Sequence, residues 1–193
     1  MRLQHSRVML RLFLVRHGKA EPDTGGDDFE RALADRGRAD AGRMAVALLG
    51  RGMLPDLLIH SGATRAKETA EILAAEWSGK VDLQEERGLY NASQASLLTR
   101  ARGLADSLVR VGFVGHNPGI GELAVSLPHS RGSAELRRMA AKFPTCGVAV
   151  LDFSVGRWGK IKPGSARLSL FLTPSELKAG QRLNPLSKAP DAT

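Results

Sequence analysis

The chain has 193 residues, 42% of them hydrophobic and 5% aromatic, with a formal net charge of +8. That length suits one domain, expected over 1–178, with a short tail over 179–193, and the apolar content excludes a disordered or disulfide-built chain. Cys146 is the only cysteine, so an intrachain disulfide is impossible, a zinc-spaced Cys/His cluster is missing, and a reducing compartment is expected. The 28 Lys and Arg suit anionic partners, but they are scattered and carry no interleaved aromatic platforms, which argues against nucleic acid. No apolar run reaches membrane-spanning length, and Arg16 follows the first apolar patch too soon for a cleavable signal, so the expectation is a cytoplasmic protein without a membrane partner.

Leu10 to Val15 is dominated by branched and aromatic apolar side chains without alternation, which predicts a central strand covered on both faces. It stops at Arg16-His17-Gly18. The acidic stretch Lys19 to Glu30 reads as a loop near a site entrance. Asp35 is placed as the cap of an amphipathic helix over 36–49, in which Met44 and Leu48 share a stripe with Ala41 and Ala45. A short strand over 56–60 follows Pro55. Ser61 or Thr64 then caps a helix through Lys67, Ala70, Leu73 and Glu76, which places Arg65 in its first turn. Val81 to Leu83 is a short extended piece, and a helix is expected over 93–107. Arg110 to Gly115 reads as a second buried strand that delivers His116, with Asn117 as N-cap and Pro118 at the first helical position of a helix through Leu127. A helix over 133–141, a strand over 147–153, a turn at 157–159, a last strand over 168–172, antiparallel at an edge, and one helical turn from Pro174 complete the domain. The pattern predicts an α/β sandwich of three layers with a mostly parallel central sheet.

In open α/β sheets, ligands sit beyond the carboxyl ends of the strands, where Arg16, His17, Arg65 and His116 all fall. A phosphoryl group spreads charge over three oxygens, and planar guanidinium groups grip two of them in a geometry an ammonium cannot copy. Arg16 and Arg65 are the expected clamp. A neutral His17 imidazole has the electron pair to attack phosphorus in line, His116 has a nitrogen for a phosphoryl oxygen, and Gly18 admits close backbone approach. The expected catalytic set is therefore His17, Arg16, Arg65 and His116. Arg16, Gly18, Arg65 and His116 bind substrate, with no metal and no organic cofactor. His5 and His129 are read as exposed, Glu122 as a surface residue, Cys146 as a small core filler, and His60 receives no role.

These motifs resemble the histidine phosphatase superfamily, the phosphoglycerate mutase-like fold. Leu33-Ala34-Asp35-Arg36-Gly37, Leu89-Tyr90-Asn91-Ala92-Ser93 and the segment from Phe143-Pro144-Thr145 to Phe153 are similar to SixA-like phosphohistidine phosphatases. The resemblance spans about 10–172 and implies that His17 is the phosphorylated nucleophile, that Arg16 and Arg65 bind the phosphoryl group, that His116 completes the pocket, and that no metal takes part. The partner it implies is a phosphohistidine protein. A small phosphorylated metabolite, hydrolysed or handled by a mutase, is the alternative, and a non-catalytic phosphate- or phosphoprotein-binding module is the rival from another class. His60-Ser61-Gly62 stands where relatives often have Ser-Ser-Pro, and Glu68 replaces a common glutamine. Glu85 or Glu86 matches the place of the acidic proton donor of larger relatives, which SixA-like proteins can lack.

Overall fold

The computed structural model describes residues 9–130 and 132–178, so the expected tail and His5 lie outside the described residues. Six strands, β1 (Leu10–Arg16), β2 (Leu57–His60), β3 (Asp82–Glu85), β4 (Arg110–Gly115), β5 (Val148–Phe153) and β6 (Ala166–Leu172), form one sheet in the order β3-β2-β4-β1-β5-β6. The first four in that order are parallel; β5 runs against β1, and β6 against β5. The edge strand β6 pairs antiparallel as expected, yet the reversed strand is β5.

The unalternating sequence of β1 follows from burial on both faces. Leu12 and Leu14 join the core beneath α3 (Gln94–Arg102), α4 (Gly119–Ser126) and α5 (Ala134–Ala141), whereas Phe13 and Val15 join the core beneath α1 (Asp35–Leu49) and α2 (Thr64–Glu76). The short α6 (Pro174–Lys178) adds Leu177 to the second core. The chain therefore has helices on both faces of a mostly parallel sheet, the three-layer architecture expected. Register across β1, β5 and β6 is pinned by charge: buried Asp152 faces Arg11 on one side and Arg167 on the other, at 2.6 and 3.1 Å. Slipping a strand by one residue would strand that carboxylate without its cations.

Several helix starts differ from the sequence expectation. Ala34 and Ala63 occupy the N-cap positions of α1 and α2, without side-chain bonds. Asp35 is instead the first residue of α1, where its charge complements the dipole. Thr64 donates to Glu30 at 3.2 Å, and Ser61 is drawn to His116. α4 begins at Gly119, because the Asn117 amide donates to the Phe143 carbonyl at 3.0 Å rather than capping. α3 starts after Ser93 as expected but stops at Arg102, where Gly103 follows. β3 starts one residue later and ends two residues later than its apolar signal, since Val81 is buried and every side chain of the strand is exposed. Among the described residues, no helix is long and apolar enough to cross a membrane.

Candidate active site

β1, β2 and β4 run parallel and end on the same side of the sheet, so the residues just beyond them meet. Arg16 ends β1, and the His17 backbone N–H is held by the Gly115 carbonyl at 3.1 Å, which ties the nucleophile candidate to the end of β4. Arg65 lies in the first turn of α2, reached from β2 through Gly62 at a φ of +82°. A Cβ on Gly62 would also meet the Glu85 carboxyl at 3.0 Å, so glycine suits this turn on both counts. Thr69 joins the two segments: its hydroxyl accepts from the Gly18 N–H at 3.0 Å and donates to the Arg65 carbonyl at 2.6 Å.

The four expected side chains border one cavity of about 310 Å³. The rings of His17 and His116 are 4.9 Å apart. Arg65, 3% exposed, donates from Nε to His17 Nε2 at 3.3 Å, and one of its terminal nitrogens lies 3.5 Å from His116 Nδ1. Arg16 donates to the Phe143 carbonyl at 2.9 Å, while its Nε has no hydrogen-bond partner among the described residues.

These contacts assign the proton on each imidazole. His17 Nδ1 lies 2.7 Å from the Gly18 carbonyl, which only accepts, so Nδ1 carries the hydrogen and Nε2 keeps its lone pair toward Arg65. Arg65 only donates, so His116 Nδ1 is the bare nitrogen and Nε2–H donates to Ser61 Oγ at 2.7 Å. Burial opposes protonation of both rings. It takes His17 down to about 3, aided by coupling to His116 and by the positive charges of Arg65 and Arg16 against the Gly18 hydrogen bond, and takes His116 down to about 4, aided chiefly by Arg65 and opposed by Asp28. A neutral imidazole with an unprotonated Nε2 beside two guanidinium groups is equipped to attack an electron-poor phosphorus.

The chain matches the family model of the histidine phosphatase superfamily, branch 1, over 12–94. An uncharacterized protein of Mycobacterium tuberculosis is 32% identical over 162 residues, which cover 83% of this chain and 99% of the relative. The chain belongs to the histidine phosphatase superfamily. Among solved structures, a protein of Agrobacterium tumefaciens assigned as the phosphohistidine phosphatase SixA is 30% identical, with a TM-score of 0.71 over 86% of this chain and 98% of its own. The protein histidine phosphatase SixA in complex with tungstate shares the fold at 19% identity, with a TM-score of 0.68 over 87% of this chain and 99% of its own. The enzyme is a phosphatase.

In this histidine phosphatase, residues outside the expected set complete the cavity. Asp28 is the one carboxylate bordering it among the described residues. Its Oδ2 accepts from Tyr90 and from Arg65, both at 2.7 Å, and its Oδ1 accepts from Arg31 at 2.6 Å. The Tyr90 hydroxyl, with Arg65 and Arg31, holds that carboxyl down to about 2. The acidity of the loop carrying Asp28 was legible, but the choice of Asp28 among the five acids of Lys19 to Glu30 was not. Tyr90 also sets its ring edge against His116, with centroids 5.1 Å apart.

Other side chains have structural work. Glu86 gives both carboxylate oxygens to Arg100 at 2.7 and 2.6 Å, Glu85 faces Arg87 at 3.6 Å, and neither borders the cavity. His60 is buried, accepts from the Gly62 N–H at 3.3 Å, and also lies outside the cavity lining. Glu68 holds the Leu33 N–H at 2.7 Å and Arg38 at 3.0 Å, so it fastens the loop ahead of α1 to α2. Cys146 is fully buried, its thiol pushed up to about 12 by burial, and it is no rival nucleophile; its N–H reaches the carbonyls of Arg16 and His17, both at 3.0 Å.

Proposed function

We propose that this phosphatase hydrolyses phosphohistidine in proteins through a phosphohistidine intermediate on His17 Nε2. Arg65 and Arg16 draw charge from the phosphoryl oxygens, and His17 Nε2 attacks as the leaving nitrogen departs opposite it. As the Nε2–P bond forms, the His17 ring becomes positive, and its Nδ1–H bond to the Gly18 carbonyl strengthens. His116, held by Ser61, turns its bare Nδ1 to the cavity, where the approaching dianion favours its protonation and makes it a donor to phosphoryl oxygen. Water then attacks the same phosphorus, and His17 leaves as the neutral imidazole it was.

The observation that carries the choice of substrate is that Asp28, the one carboxylate bordering the cavity among the described residues, is engaged by Arg65, Arg31 and Tyr90. A carboxyl held at about 2 is ionised at neutral pH and has no proton to give a leaving alkoxide. A phosphohistidine protonated on its distal ring nitrogen needs none, since it departs as a complete neutral imidazole. The likeness to the Agrobacterium protein supports the same reading.

The test compares kcat/KM for a phosphohistidine protein, an aryl phosphate and a sugar phosphate. Phosphohistidine is expected to exceed the sugar phosphate by at least roughly a hundredfold, the lower range of what a positioned general acid supplies. Equal or better turnover of the sugar phosphate overturns the assignment.

A further inference from the structure

Beside the phosphoryl cavity lies a second, larger groove of about 810 Å³ between α4 and α5, and Arg16 and Asn117 border both. On its α4 side, Pro118, Gly121, Glu122 and Val125 recur at spacings of three and four, so one face of the helix is turned into it. On the α5 side, Arg137, Ala140 and Ala141 do the same. Leu136, Met139 and Phe143 give it an apolar floor. The small, exposed Ala140 leaves the α5 side of the groove open. The catalytic mechanism above uses none of it beyond Arg16.

We infer that the groove between α4 and α5 seats the polypeptide flanking the phosphohistidine of a protein substrate, with an apolar side chain on its floor and acidic residues against its rim. The inference rests on the phosphohistidine reading and adds where the rest of the substrate lies. Continuity with the phosphoryl cavity through Arg16 places the occupant next to the reacting phosphorus. Charge selects its chemistry: among the groove residues the cations Arg16, Arg137 and Lys142 outnumber a single acid, Glu122. A free phosphorylated amino acid has too little substance for a space of this size, whereas a chain segment supplies both the apolar anchor and the carboxylates.

The experiment measures kcat and KM for free phosphohistidine and for a short peptide phosphorylated on histidine with phosphoramidate, made in leucine/glutamate-flanked and leucine/lysine-flanked versions. Wild type is expected to favour the glutamate peptide over free phosphohistidine by at least roughly tenfold in kcat/KM, mostly through KM. Ala140→Trp, which fills the groove from an exposed position, is expected to remove that advantage by raising KM for the peptide far more than for the free amino acid. Arg137→Glu is expected to reverse the preference between the two peptides. Equal treatment of peptide and free phosphohistidine by wild type, or parallel losses on both in the variants, overturns the groove assignment while leaving the phosphohistidine reading intact. Failure to hydrolyse any phosphohistidine compound while an aryl phosphate is turned over overturns both.

Discussion

Acidification from pH 8 to pH 5 is expected to destabilise the protein through the buried imidazoles of His17 and His116. Both have folded pKa values, about 3 and about 4, below the ordinary 6.5. The unfolded chain therefore binds protons that the folded one refuses, and stability is lost as pH falls through 6.5 toward the folded values. At pH 5 each ring costs about 1.4 kcal/mol per unit over the 1.5 units below 6.5, or ~2 kcal/mol, and the pair about 4 kcal/mol. Because pH 5 lies above both folded values, this figure depends chiefly on the unfolded pKa. Depressed carboxylates such as Asp28, at about 2, contribute their loss only below the ordinary 3.8, outside this window. The assay is urea unfolding at the two pH values in phosphate-free buffer, for wild type and a His17→Gln/His116→Gln double variant. Wild type should lose about 4 kcal/mol more than the variant over the interval. Equal losses would refute the claim that both rings are held neutral in the fold.

Arg65→Lys should keep the charge but lose the fork that reaches His17, Asp28 and the phosphoryl group together, lowering kcat/KM by roughly a hundredfold, about 2.7 kcal/mol; steady-state kinetics within a factor of two of wild type would count against the clamp. Ser61→Ala leaves the His116 Nε2–H without its acceptor and should lower kcat by about tenfold with a smaller change in KM. Unaltered kcat would remove Ser61 as the positioning residue. Two glycines of α1 should respond with opposite signs in denaturant unfolding. A Cβ on Gly37 would stand 2.2 Å from the Lys19 carbonyl oxygen, so Gly37→Ala should cost about 1–3 kcal/mol, whereas Gly42 has nothing within 4 Å and Gly42→Ala should stabilise by about 0.5–1 kcal/mol. Shifts of the same sign would refute that packing.

The parallel core of the sheet was legible because strands buried on both faces leave apolar runs, as in Leu12 to Val15 and Val111 to Val114. β3 was misplaced because an exposed edge strand has no such run. Arg16, His17, Arg65 and His116 were legible as a group because each sits next to a strand end, and the sheet's parallel order brings strand ends together. Asp28, which borders the cavity, and Tyr90 and Ser61, which hold Asp28 and His116, were not singled out. Their places depend on how a long loop and a turn fold back over the strand ends, and nothing in local periodicity encodes that. The capping errors at Ser61 and Asn117 share a cause: a side chain able to cap a helix is oriented by a tertiary partner, His116 in one case and the Phe143 carbonyl, held by the Asn117 amide nitrogen, in the other.

The most direct test of the account is to quench the enzyme at alkaline pH during turnover of a phosphohistidine protein and examine its own phosphate by phosphorus NMR and peptide mapping. The account predicts an acid-labile phosphoryl group on His17 at Nε2, absent from His17→Ala along with turnover. Phosphate found on His17 Nδ1 or on another residue, or full turnover by His17→Ala, would contradict it.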